Sequence, residues 1–171
     1  GVGGGIVAGG RPFAGASGNA GHIGQMHVHL GEPTTTAEES TLEAAASGPA
    51  SVRWAQARGW IGDTGEDLAR GVAQGDPLAD AATRRSAHLV GQAIAGVVTL
   101  LDVEAVAIGG GFSRVRGDYV DLVRESVRAH ALLPYAARAR ISASGLGDEG
   151  PLLGAAALSL RLDSPERPAP A

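Results

Sequence analysis

Glu43 closes a polar stretch that begins at Thr34, and upstream of it stands the run Gly21-His22-Ile23-Gly24-Gln25. An ionised carboxylate has two oxygens that can hold neighbouring hydroxyl groups, and an imidazole or a carboxamide can each bond a further hydroxyl. Glu43, His22 and Gln25 are thus of the right types for a hydroxyl-bearing ligand, while Glu43 alone also reads as a surface glutamate in the first turn of a helix. His27 and His29 stand two apart in a short extended run, face one side, and with His22 would offer imidazoles to a metal. A solvated or packed histidine pair is the plainer reading of those two. At Gly109-Gly110-Gly111 an apolar run ends in glycines, which either let backbone approach a ligand closely or simply turn a strand into a helix.

These residues need elements to hold them. Gly1 to Phe13 alternates glycine and apolar residues around Gly9-Gly10 and predicts a hairpin. Gly15 to Gly24 predicts a tight loop, and Met26 to Leu30 a short strand. Thr41 to Ser47 has helical composition, breaks at Gly48-Pro49 and resumes to Gly59; Asp63 to Ala73 is a short amphipathic helix. Asp76-Pro77 pairs an N-cap with proline at the first helical position, opening a helix to Leu101 of about 37 Å. Val103 to Ile108 reads as a buried strand, Tyr119 to Leu132 as a helix, Ala139 to Ala143 as a strand and Gly150 to Leu162 as a last, apolar helix. This order predicts an α/β fold with helices packed on a sheet and right-handed crossovers.

The 171 residues are one domain's worth and should bury roughly two-thirds of the unfolded surface. With two Trp, two Tyr and two Phe, the core must be aliphatic. The net charge of -4 and the lack of a basic block leave no footprint for nucleic acid. No cysteine is present, which excludes disulfides and thiolate metal sites. The longest apolar run, Ala93 to Leu101, falls short of the ~20 residues that a membrane span needs, and no signal region opens the chain. A soluble, cytoplasmic domain without membrane partners is the expectation.

Three segments together resemble the ROK family of repressors, open reading frames and sugar kinases. Gly1-Val2-Gly3-Gly4-Gly5-Ile6-Val7 with Gly15, Gly21 and Gly24 is similar to its glycine framework. Ala107-Ile108-Gly109-Gly110-Gly111-Phe112-Ser113 looks like its strand and glycine turn beside the nucleotide's adenosine. Ser144 to Ala156 resembles its terminal motif. The resemblance implies a ribonuclease H-like, actin-like ATPase lobe with a mixed sheet, of which residues 1–162 are the C-terminal lobe and 163–171 a disordered, proline-rich tail. It places the catalytic base and the first phosphate loop upstream of Gly1, and so no catalytic residue in this chain. It implies sugar contacts at Glu43, with His22 and Gln25 replacing the family's glutamate and histidine, and nucleotide contacts at Gly1, Gly3, Gly109, Gly110 and Gly111. The family's zinc ligands correspond to Gln25, Thr34, Thr36 and Thr41, a set without thiolate or imidazole, so no zinc is expected.

Because the charge pattern at His22 and Gln25 departs from the kinase motif, the expected function is a sugar-responsive effector and dimerisation domain of a ROK-type transcriptional regulator. A sensor needs only different sugar affinities in two conformations. Its partners would be a sugar or sugar phosphate, a second copy of the chain, and DNA through an upstream segment only. The alternative is the large lobe of a sugar kinase using ATP and Mg, of the glucokinase or amino-sugar kinase type. A domain that only dimerises is the blandest option.

Overall fold

The structure is a computed structural model that describes residues 1–31 and 36–162. The tail at 163–171 and Thr34 lie outside the described residues. β1 (Ile6–Ala8) and β2 (Arg11–Phe13) pair antiparallel, with Ile6 opposite Phe13. Between them Gly9 and Gly10 sit at φ 57° and φ 74°. That is the left-handed backbone of a two-residue hairpin turn.

The strand predicted over residues 26–30 does not form as an element. His27 makes one antiparallel bridge to Thr41, and Val28 N donates to Ser40 O at 2.9 Å while Leu42 N donates to Met26 O at 2.8 Å. The partner is the short junction at residues 40–42 between a 3-10 turn and α1, too brief to carry a ladder.

Helices begin where capping chemistry permits. Thr41 caps α1 (Leu42–Ala46) by accepting from Ala44 N. Ser47, extended at ψ 162°, ends α1 and caps α2 (Gly48–Gln56) by accepting from Ala50 N, so one residue joins the two helices. α3 (Gly65–Ala73) opens with a reciprocal capping box between Thr64 and Asp67, which satisfies donors at both ends of the first turn. Asp76 accepts from Leu78 N and Ala79 N to start α4 (Pro77–Leu101), which ends at left-handed Asp102. β3 (Ala105–Ile108) and β4 (Arg140–Ala143) pair in parallel through the crossover helix α5 (Tyr119–His130), and α6 (Gly150–Leu162) closes the described chain. The helices and the two senses of strand pairing agree with the α/β expectation, and the strands form two separate ladders.

α4 is the central helix. Small residues along it, among them Ala82, Thr83, Ser86, Ala87, Gly91 and Ala95, are buried, which lets neighbours approach closely. At Gly91 an added Cβ would sit 2.3 Å from Ser126 Cβ on α5. The core is mostly aliphatic, as the composition suggests: Leu68, Ile94, Val98, Val123 and Val127 fill one cluster with the aromatics Trp60 and Tyr119, and Leu42, Ala45, Ala46 and Leu89 fill a second beneath α1. Polar pins join the helices. Ser86 Oγ donates to Ala46 O at 2.7 Å and lies 2.8 Å from the Tyr119 hydroxyl. Arg116, its side chain only 7% exposed, pairs with Asp80 at 2.8 Å and with Asp118 at 2.6 Å. This ion cluster ties the entry of α5 to α4.

Candidate functional site

Glu43 lies in the first turn of α1, and its carboxylate is held from two sides. Val2 N donates to Oε1 at 3.3 Å, and Gln25 Nε2 donates to Oε2 at 3.4 Å. A carboxylate has about four lone-pair directions, so two remain for a ligand's hydroxyls. The glycines make this approach possible. An added Cβ at Gly24 would stand 2.1 Å from Val2 O, one at Gly4 2.8 Å from Gly21 O, and one at Gly1 2.7 Å from Glu43 Oε1. Residues 1–5 therefore lie backbone to backbone on residues 21–24, with no room for side chains between.

Of the residues expected to bind sugar, Gln25 and Glu43 are thus brought together. His22 is exposed, and its imidazole makes no hydrogen bond among the described residues. His27 Nδ1 lies 2.7 Å from Ser40 Oγ, and the backbone of His29 is gripped by Gln92, which accepts from its N at 3.1 Å and donates to its O at 3.2 Å. Those two histidines serve the loop. Thr41 caps α1 and Thr36 is exposed. Among the described residues no three His, Asp or Glu side chains gather as metal ligands.

A cleft of about 440 Å³ opens beside this edge, lined by Gly48, Pro49, residues 63–66, Gly111 and Phe112, among others. Two helix N-termini, those of α2 and α3, face it, and their unpaired amides and dipoles favour electronegative ligand atoms. Phe112 lies across both: an added Cβ would meet its ring at 3.0 Å from Gly48 and 3.5 Å from Gly65. Tyr119 braces that ring edge-on, with centroids 6.0 Å apart. Asp63 and Glu66 put carboxylates at the rim, suited to hydroxyl or amino donors more than to phosphates. α1 and the extended Ser47 separate the edge from the cleft wall at Gly48.

The glycine turn is divided in its duties. Gly110 takes φ 91°, Gly109 packs on Ser144, where a Cβ would stand 3.3 Å from Ser144 Cβ, and Gly111 reaches the cleft. Gly1 lies at Glu43, and Gly3 has open space around it. The walls formed by Gly48, Pro49 and residues 63–66 were not foreseen from the sequence as site residues. Their signal was the pair of capping patterns, Ser47-Gly48-Pro49 and Thr64 with Asp67, which marks two helix N-termini but not that they converge.

A sequence profile of the ROK family matches residues 1–161. The bifunctional enzyme NanE/NanK of Brucella melitensis is 33% identical over 93% of this chain and 29% of that protein. The kanosamine kinase of Amycolatopsis mediterranei is also 33% identical, over 93% of this chain and 52% of that protein. The chain thus spans about half, or less, of the relatives it matches. Among solved structures, a ROK family glucokinase from Streptomyces griseus, in complex with glucose and AMPPNP, has a TM-score of 0.78 at 29% identity, covering 91% of this chain and 56% of that one. The fold is therefore the actin-like ATPase fold of ROK sugar kinases, as the resemblance implied.

These findings correct the expected function. The regulator reading drew on the altered charge at His22 and Gln25, but relatives at 33% identity are named as kinases. A ROK family transcriptional regulator, a homolog of the E. coli MLC protein, is similar at TM-score 0.69 and 27% identity, over 81% of this chain and 38% of that one. The altered residues at 22 and 25 leave the Glu43 carboxylate in place, with Gln25 donating to one of its oxygens.

Proposed function

The chain belongs to the ROK family, whose profile matches residues 1–161, and from that premise we propose that it is the large lobe of an ATP-dependent kinase acting on a hexose or amino sugar. The observation that carries the reading is the Glu43 carboxylate, fixed by Val2 and Gln25, with the Phe112 cleft one short helix away. Glu43 and Gln25 bind adjacent sugar hydroxyls, with His22 at the outer rim. The cleft takes the nucleoside of ATP: Phe112 offers an aromatic face, Gly111 close backbone, and Asp63 and Glu66 acceptors for hydroxyl and amino groups. Gly109 and Gly110 form the turn that brings Gly111 to it, while Gly1 and Gly3 lie with the Glu43 edge. Mg enters with the nucleotide, because it is bound chiefly by phosphates and water with one or two carboxylates. This lobe positions both substrates, and positioning with electrostatic stabilisation is most of what phosphoryl transfer requires.

Self-association belongs to the same proposal. Leu100 and Leu101 at the end of α4 are exposed, as are Leu132, Leu133 and Tyr135, and Tyr135 donates to Thr99 O at 2.6 Å. Apolar surface of this kind is covered by a second copy, and a monomer in sedimentation of the full-length protein would remove the idea. The kinase reading is tested by adding ATP and Mg to the full-length protein with glucose, N-acetylmannosamine, N-acetylglucosamine and kanosamine in turn. ADP release with at least one of them is expected, and silence with all would overturn the proposal.

A further inference from the structure

Away from the cleft, four of the chain's arginines meet around one depression. Arg124 and Arg128 on α5 face Arg138 and Arg140 at the entry of β4, enclosing about 300 Å³ over Val127 and Ile141. Such a concentration stands out in a protein of net charge -4.

Two of the four are occupied. Arg124 pairs with Asp121 and donates Nε and Nη2 to Ile141 O at 3.2 and 3.0 Å, tying α5 to β4. Arg140 pairs with Glu104 at 2.7 Å, with both side chains largely exposed. An ion pair so open to water is weakly held. Among the described residues neither of the other two pairs with a carboxylate. Among the described residues Arg138 donates to Pro134 O alone, at 3.2 Å, and the Arg128 side chain has no partner. The depression therefore carries an excess positive charge on guanidinium forks, over an apolar floor that weakens screening by water.

Its position separates it from the cleft. Ala105 lies opposite Arg140 at the start of the parallel ladder and Ile108 opposite Ala143 at its end, where the glycine turn follows. Arg140 and the turn are thus at opposite ends of β3 and β4, about 10 Å apart along the strands before the turn is added.

We propose that this depression is a second binding site, for the dianionic phosphate group of a small phosphorylated metabolite. Guanidinium groups match phosphate oxygens two bonds at a time. Arg128 and Arg138 supply the uncommitted charge, Arg140 swings from Glu104 to join them, and Arg124 forms the fixed wall. The concave shape and the small volume fit a metabolite, whereas a nucleic acid needs a basic stripe along a surface. The site does not depend on the kinase reading.

The test uses full-length protein and the double variant R128Q/R138Q, with both residues exposed so that folding is preserved. Calorimetric titrations with inorganic phosphate and with a hexose 6-phosphate, at constant ionic strength set by chloride, separate the free ion from the ester. Binding of either by the parent protein is expected, with affinity about tenfold weaker or worse in the variant, as the loss of charge-assisted donors implies. AMPPNP affinity, which reports the cleft, should not change. No phosphate binding, or equal binding by parent and variant, would overturn the proposal. An oligonucleotide held by the same arginines more tightly than phosphate would overturn it too. Absence of sugar turnover would bear on the cleft alone.

Discussion

Gln25 donates its side-chain amide to Glu43 Oε2 at 3.4 Å, and so fixes one oxygen of a carboxylate whose other oxygen is fixed by Val2 N. The arrangement leaves Glu43 rigid without neutralising it. Hydrogen bonds from neutral hydroxyls to a charged group are worth about 1.5–3 kcal/mol each. Glu43→Ala in the full-length protein should therefore weaken sugar binding by about tenfold to a hundredfold, with nucleotide affinity retained. Gln25→Ala, which frees the carboxylate without removing it, should cost less. Equal sugar affinity in the parent and Glu43→Ala proteins, measured by calorimetry, would sink the assignment.

The contact of Gly24 with Val2 predicts a stability effect. A Cβ at position 24 would stand 2.1 Å from Val2 O, and that atom is backbone that cannot rotate away. Gly24→Ala should destabilise by about 2 kcal/mol or more, read from the denaturant midpoint. Glu43 Cβ would meet the same added atom at 3.5 Å, an ordinary van der Waals contact, so the strain falls on Val2. Gly3→Ala is the control, since an added Cβ there has nothing within 4 Å. It should change stability by only about 0.5 kcal/mol or less.

Arg116 sets the acid limit of the fold. Its hydrogen bond holds the Asp118 carboxyl below the ordinary 3.8. At Asp80 burial pushes the carboxyl up, but hydrogen bonds from Arg116 and Arg84 outweigh it and the net direction is down. Carboxylates depressed in the folded state add stability that is present above their unfolded pKa and lost as pH falls through the folded one. Stability should therefore decline from about pH 4 downward. Arg116→Met should make that decline shallower and lower neutral-pH stability by about 2 kcal/mol, less than for a fully buried pair because both aspartates are partly exposed.

His88 predicts a second, milder pH dependence. Burial lowers its pKa from 6.5, and the His130 ring, 5.1 Å away between centroids, lowers it further by repulsion. A histidine depressed in the folded state contributes stability that is intact above its unfolded pKa and lost as pH falls toward the folded value. Thermal midpoints should therefore drop as pH falls below 6.5, and His88→Gln should flatten that limb of the curve. An unchanged slope in the variant would remove His88 as the cause.

The helix start at Asp76 and the break at Gly48-Pro49 were legible in the sequence because capping and proline placement are local chemistry, settled within a few residues. The strand expected over residues 26–30 was not, because a strand exists only through its partner, and the partner here is a brief junction between a turn and α1. Function was read least well. The charge pattern at positions 22 and 25 points to a sensor, whereas relatives at 33% identity are kinases, and residue types at two positions do not carry that distinction.

By itself the sequence determined the mostly aliphatic core, the absence of any thiolate ligand, the order of the helices and the family motifs, all of which depend on residue type or short spacing. Only the tertiary structure decided that Val2 and Gln25 share one carboxylate, that the starts of α2 and α3 converge on Phe112, and that arginines from α5 and β4 enclose one depression. Those meetings join segments far apart in the chain. They are set by how closely small residues such as Gly91 and Gly24 let backbones approach, a property of packed volume that local sequence does not carry.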